Sequence, residues 1–169
     1  MANLLVQSAS PENLAKSILR PVKLQHFANL LSARDLTELN ARYPDGNCWV
    51  WGLTPGPANK RFWDRLQEGD DVAIITSEGV RCYALITYKE QNRNLALSIW
   101  GPARSGKAYE LVYFSTRPEV VSVSLDQYNR LTGYRYRHMP QNAFILDPKK
   151  AQTVRSFKNN RSLSRLLMP

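Results

Sequence analysis

The chain has 169 residues, a net charge of +9, 43% hydrophobic and 10% aromatic residues. That length suits one domain with a sizeable core. It holds no apolar run near the ~20 residues that span a bilayer, and Met1 to Val6 lacks the charged start and apolar centre of a secretory signal, so a cytoplasmic protein with no membrane partner is expected.

Leu4 to Val6 reads as a short strand. Ser10-Pro11-Glu12 opens a helix, with Ser10 as N-cap and Pro11 at the first helical position, and Pro21 stops it. Residues 22–43 read as helical, with a second start at the capping box Ser32-Ala-Arg-Asp35. Pro44-Asp-Gly46 turns into Cys48 to Thr54, a strand that places Trp49 and Trp51 on one face and Val50 on the other. Pro55-Gly56-Pro57 is a turn, and a helix follows from Ala58 to about residue 67, with Phe62 and Leu66 inward and Trp63 in the core. Three of the four tryptophans therefore fall between Trp49 and Trp63.

Asp71 to Thr76 and Val80 to Tyr88 form a hairpin about Ser77-Glu-Gly79. Gln91 to Asn94 reads as a polar turn and Leu95 to Trp100 as a further strand. After the loop Gly101 to Lys107 comes the strand Tyr109 to Phe114. Val120 to Val123 is a short strand or a helix lead-in, Leu125 to Leu131 a helix, and Tyr134 to Arg137 and Phe144 to Leu146 final strands. Asp147-Pro148 caps a last helix, and residues 158–169 read as a basic linker or chain end. Short strands with hairpin turns predict an α+β fold: a small, curved, mostly antiparallel β-barrel flanked by helices.

Several enzymatic readings fail on chemistry. Gly101-Pro-Ala-Arg-Ser-Gly106-Lys107 matches the glycine and lysine spacing of a phosphate-binding loop, but Ala108 stands where a Ser or Thr should meet magnesium. The β-rich Tyr109 to Phe114 then replaces the helix that should receive the phosphates. Glu68, Asp70 and Asp71 cluster at a turn and read as solvated carboxylates. His26, His138, Cys48 and Cys82 make no zinc pattern, and the cysteines read as reduced core thiols. No nucleophile, base and acid assemble, so a binding domain without catalytic residues, metal or cofactor is expected.

Basic charge and strand-end aromatics remain. After Glu119 only Asp126 and Asp147 are acidic, against nine lysines and arginines, which suits a phosphate-bearing partner. Trp51 and Trp100, each before a Gly/Pro turn, could form opposing walls for a flat base, where stacking contributes about 1–3 kcal/mol.

In order, Leu4-Leu-Val-Gln-Ser8, Glu12-Asn13-Leu14, Trp51-Gly-Leu-Thr-Pro55, Asn59-Lys-Arg61, Asp71-Val-Ala-Ile-Ile75 and the Gly79 hairpin resemble the YTH and EVE branches of the PUA-like superfamily. These are small β-barrels that read modified bases. The resemblance spans roughly residues 3–146; residues 20–46 stand in it as a helical insertion, and Ala9 departs from a polar family position. With its basic C-terminal end, the chain is also similar to the N-terminal specificity domains of McrB-type modification-dependent restriction GTPases. This implies one base-reading domain over residues 1–157 of a prokaryotic protein. Its partner would be DNA carrying a methylated base, N6-methyladenine first. A AAA+ GTPase motor and a nuclease subunit would lie elsewhere.

By that resemblance Trp51 and Trp100 sandwich the flipped base, with Trp49 nearby, and Leu53 closes on the methyl group. The Gly52 carbonyl accepts the N6–H and Asn13 meets the ring nitrogen. Arg104, Lys107, Lys60, Arg61, Arg135 and Arg137 are the expected phosphate contacts. A 5-methylcytosine reader of the EVE type and a PUA-like RNA-binding module remain open alternatives.

Overall fold

The computed structural model describes residues 2–136 and 138–166, the last six by backbone alone. Strands β1 (Leu4–Ser8), β2 (Val22–Lys23), β3 (Asn47–Leu53), β4 (Asp71–Thr76), β5 (Gly79–Gln91), β6 (Leu111–Ser115), β7 (Glu119–Ser124) and β8 (Ala143–Ile145) form one sheet. The helices are α1 (Pro11–Ser17), α2 (Ala33–Arg42), α3 (Pro57–Arg65), α4 (Arg93–Trp100), α5 (Leu125–Thr132) and α6 (Pro148–Leu166). The strand order is β2-β3-β6-β5-β4-β1-β8, so the two outermost strands do not pair and the sheet stays open rather than closing into a barrel. Its mostly antiparallel character is as expected; β1 alone among these pairs runs parallel, beside β4.

The 13-residue β5 is the pivot. Its first half pairs with β4 on one edge and β7 on the other, and its second half pairs with β6. β6 and β7 thus follow one edge of β5, interrupted at Thr116-Arg-Pro118, where proline has no N–H to continue the ladder. Thr116 bridges the break: its N–H donates to the Leu85 carbonyl at 2.9 Å, and its hydroxyl accepts from the Leu85 N–H at 3.1 Å.

Alternation along the strands sorts side chains into separate cores. Leu5, Val72, Ile74, Trp51 and Tyr113 join Leu14 of α1 and Trp63 of α3. Leu4, Val6, Ala73 and Ile75 face the other way, against Tyr128 and Val154 of α5 and α6. Cys48, Val50, Val112 and Phe114 are covered by Phe27, Leu39 and the apolar side of α4. Burial on both faces explains why β4 reads as a nearly continuous apolar run. Both cysteines are free and buried, with their thiols pushed up to about 12 by burial.

Four local expectations need correcting. Leu95 to Trp100 is helix, not strand: Asn92 accepts from the Leu95 N–H at 2.9 Å as N-cap, and Gly101 closes the helix at φ 71°. Residues 22–43 are not helical throughout. Val22–Lys23 pairs with β3, short 3₁₀ turns occupy Leu24–His26 and Ala28–Leu30, and only α2, capped at Ser32 as its box predicts, is α-helix. Tyr134 to Tyr136 forms no strand. Finally, α6 continues through Leu166, past the point where a linker was expected.

Candidate nucleic-acid interface

The start of α1 and the ends of β1, β3 and α4 come together around shared open space, although β1 and β3 finish at opposite ends of β5. Ser10 caps α1 by accepting from the Asn13 N–H at 3.3 Å, and Pro11 holds the first helical position. Asn92, besides capping α4, donates its Nδ2 to the Leu30 carbonyl at 2.8 Å. The segment before α2 therefore braces the helix that delivers Trp100.

Trp100 ends α4 at the centre of a three-ring contact. Its centroid lies 6.3 Å from Trp51 at 61° and 6.0 Å from Tyr109 at 75°, both edge-on. Its indole N–H donates to Ser17 Oγ at 3.0 Å. Gly52 permits this packing. A Cβ there would lie 2.2 Å from the Tyr109 carbonyl oxygen and 2.9 Å from the Trp100 ring.

A base held between two parallel rings needs planes roughly 7–8 Å apart, twice a van der Waals contact. Trp51 and Trp100 touch edge to face instead, 5% and 7% exposed, and leave no such slot in this arrangement. Trp51 lies in the core beside Leu5, Leu53 and Trp63, and its buried indole N–H has no partner among the described residues.

Open space lies along Trp100 and Tyr109 and does not reach Trp51. A cavity of about 620 Å³ is lined by Asn13, Trp100, Arg104 and Tyr109, with Ser10, Glu12 and Lys16 also in its wall. A second, of about 120 Å³, is lined by Gln7, Gly52, Leu53, Asn59 and Asn142 among others. Thr54 and Tyr109 belong to both walls, so the cavities adjoin. The expected base contacts therefore divide: Asn13 and Trp100 face the larger cavity, Gly52 and Leu53 the smaller. Trp51 lines neither, and Trp49 is partly buried against the core that carries Phe27 and Leu39.

Of the basic residues, Arg104 stands in the wall of the larger cavity, within a turn closed by the Ala103 N–H donating to the Lys107 carbonyl at 2.8 Å. Lys107 is exposed on the same turn. At the cavity wall the Lys16 ammonium, 2.8 Å from Glu12, bonds to that carboxylate and holds it below its ordinary range, so this acid is already matched. Lys60 and Arg61 are exposed on α3, but Lys60 already pairs with Asp64 at 2.8 Å and lies 4.7 Å over the Trp63 ring. Arg135 is exposed away from both cavity walls, and Arg137 lies outside the described residues.

Residues set aside by their sequence context have internal tasks. Asp70 is buried and accepts from the Asn3 N–H at 2.7 Å and the Gln67 N–H at 2.8 Å; it is not a solvated turn carboxylate. Asp71 pairs with Arg155 at 2.6 Å, and Glu68 with Arg42 at 3.1 Å. The Gly101–Lys107 turn leads toward β6 and not into a helix. Among the described residues no three His, Cys, Asp or Glu side chains group as metal ligands, and no helix is long and apolar enough to cross a membrane.

Sequence reasoning missed Tyr109, which with Thr54 lies in both cavity walls, and Gln7. A tyrosine following the same Gly/Pro loop as Trp100 was an available signal. So was a glutamine inside the apolar Leu-Leu-Val strand.

No protein-family model matches the sequence, and no curated protein sequence does. Solved structures match in shape. A hypothetical protein from Leishmania major superposes at a TM-score of 0.52 with 10% identity, covering 96% of this chain and 98% of its own. The N-terminal domain of McrB from Thermococcus gammatolerans, solved bound to m5C DNA, superposes at 0.72 with 16% identity, over 94% of this chain and 98% of its own. The chain has the fold of that McrB N-terminal domain.

Proposed function

We propose that this chain is a DNA-binding specificity domain that takes a methylated base, flipped out of the duplex, into the cavity walled by Asn13, Trp100 and Tyr109. One observation carries the reading. A cavity with aromatic, carboxamide and guanidinium groups in its wall belongs to a fold shared with a domain solved on m5C DNA. Flipping costs a few kcal/mol, and stacking returns about 1–3 kcal/mol per base. Burying one methyl adds about 0.8 kcal/mol, a several-fold preference and not an absolute one.

N6-methyladenine is the first candidate base. The Asn13 carboxamide can donate to one adenine ring nitrogen, leaving the single N6–H for another acceptor. Trp51 then serves behind Trp100, holding its ring edge-on, in place of forming the opposite wall. The second reading is 5-methylcytosine, favoured by the base on the McrB domain. In either case the chain supplies recognition for a modification-dependent restriction system, and a GTPase motor and a nuclease supply the chemistry elsewhere.

The test is fluorescence anisotropy with matched duplexes carrying N6-methyladenine, 5-methylcytosine or no modification, plus the same sequence as RNA. Tighter binding to one methylated duplex is expected, and the better of the two names the base. Equal affinity for all three duplexes would refute base reading, and a preference for the RNA would move the chain to an RNA-binding role.

A further inference from the structure

The smaller cavity holds carboxamides with no task so far. Gln7 lines it while only 5% exposed, on the inward face of β1 with Leu5. The Tyr113 hydroxyl donates to Gln7 Oε1 at 3.3 Å. Leaving a buried phenol proton without an acceptor costs about 1–3 kcal/mol, and Gln7 is the acceptor Tyr113 has among the described residues. Burial holds the Tyr113 phenol well above its ordinary range, so it stays a donor. The carboxamide is thereby oriented, with oxygen toward Tyr113 and Nε2 free to donate elsewhere.

Asn59, in the same wall, is oriented in the opposite sense. Its Nδ2 donates to the Thr54 carbonyl at 2.8 Å, which leaves Oδ1 as an acceptor. The cavity, of about 120 Å³, opens to solvent beside the larger one and shares Thr54 and Tyr109 with it. A base seated in the larger cavity can therefore present one edge to the smaller one. A phosphate, which only accepts, would have nothing to offer Asn59 Oδ1.

We infer that the smaller cavity reads the hydrogen-bonding edge of the flipped base, with Gln7 Nε2 donating to a ring acceptor and Asn59 Oδ1 accepting from a neighbouring N–H. This rests on the base-reading function proposed above. Gln7 is then a specificity-determining residue.

The experiment compares the intact chain with Gln7→Met on three kinds of duplex: the preferred methylated base, its unmodified parent, and deaza analogues replacing each ring nitrogen in turn by C–H. The intact chain should bind one deaza duplex about tenfold more weakly, one hydrogen bond's worth. Gln7→Met should lose about tenfold on the methylated duplex and become indifferent to that same deaza change. Indifference of the intact chain to every deaza analogue overturns the inference, as does an unaltered preference in Gln7→Met. Should Gln7→Met fail to fold, Tyr113→Phe keeps the ring and frees the carboxamide to rotate. It should weaken the methylated duplex about threefold, and an unchanged affinity overturns the inference. No preference for methylated DNA in the intact chain is a separate result, which removes the base-reading function and the inference with it.

Discussion

Trp100 and Ser17, 83 positions apart, meet through one hydrogen bond of 3.0 Å buried between α4 and α1. The bond ties the helix carrying the site's tryptophan to the helix carrying Asn13. Ser17→Ala leaves the buried indole N–H without its acceptor, at a cost of about 1–3 kcal/mol. Thermal unfolding should show a drop of several degrees. Ser17→Thr retains an acceptor and should recover part of it, unless the extra methyl meets its buried neighbours. An unchanged melting temperature in Ser17→Ala would mean water replaces the hydroxyl.

Gly52 gives a sharper test of how the rings are held. Its Cβ would fall 2.2 Å from the Tyr109 carbonyl oxygen, a backbone atom that cannot swing aside. Gly52→Ala must push β3 away from the segment entering β6 and disturb both Tyr109 and Trp100. A loss of stability of about 1–3 kcal/mol is expected from such overpacking. Preference for methylated DNA should fall with it, while salt-sensitive binding to unmodified DNA persists. Gly56→Ala, where a new Cβ meets nothing within 4 Å, is the control.

The frame was legible where local chemistry decides structure. Ser10-Pro11 and the Ser32 box cap helices as their residue types require, and alternation in β3 sends Val50 and Trp51 to different cores, although Trp49 packs with Val50's core and not with Trp51's. Trp63 lies in the core, as its neighbours Phe62 and Leu66 indicated. What escaped was long-range or ambiguous by length. Leu95 to Trp100 is six apolar-rich residues, short enough for either strand or helix, and the deciding cap at Asn92 looked like part of a turn. Trp51 and Trp100 were paired by expectation, but only the path of α4 makes that pair an edge-on contact with the open space along Trp100. Gln7 acquires meaning through Tyr113, 106 positions away. No local pattern encodes that.

Glu90 predicts a pH dependence of stability. Burial raises its carboxyl above the ordinary 4.5, a hydrogen bond from Asn92 opposes the rise, and the Asp35 charge adds to it. Oε2 is buried without a partner among the described residues. For an acid raised in the folded state, the native chain binds more protons than the unfolded one, so this group lowers stability as pH rises through its native value. Glu90→Gln removes that slope. The variant should be at least as stable as the parent at neutral pH, and the difference should shrink as pH falls toward about 4.5. Thermal melts of both proteins across that range check it. A difference that does not change with pH would rule Glu90 out as the source.

The basic residues separate by what already occupies them. Arg104 and Lys107 stand on an exposed turn beside the larger cavity, whereas the Lys60 ammonium is matched by Asp64 at 2.8 Å and lies over Trp63. Replacing a phosphate contact lowers the slope of log affinity against log salt by about one. Arg104→Ala and Lys107→Ala should each do so, weakening methylated and unmodified duplexes alike. Lys60→Ala should change the slope by much less, because phosphate would have to displace Asp64 before Lys60 could release a counterion. Asp64→Asn then becomes informative in the opposite sense. It frees the ammonium without removing it, and should tighten non-specific binding and steepen the slope. Titrations at several salt concentrations decide the matter: equal losses in Lys60→Ala and Arg104→Ala would place α3 on the DNA backbone, and the Lys60–Asp64 pair would then have to open on binding.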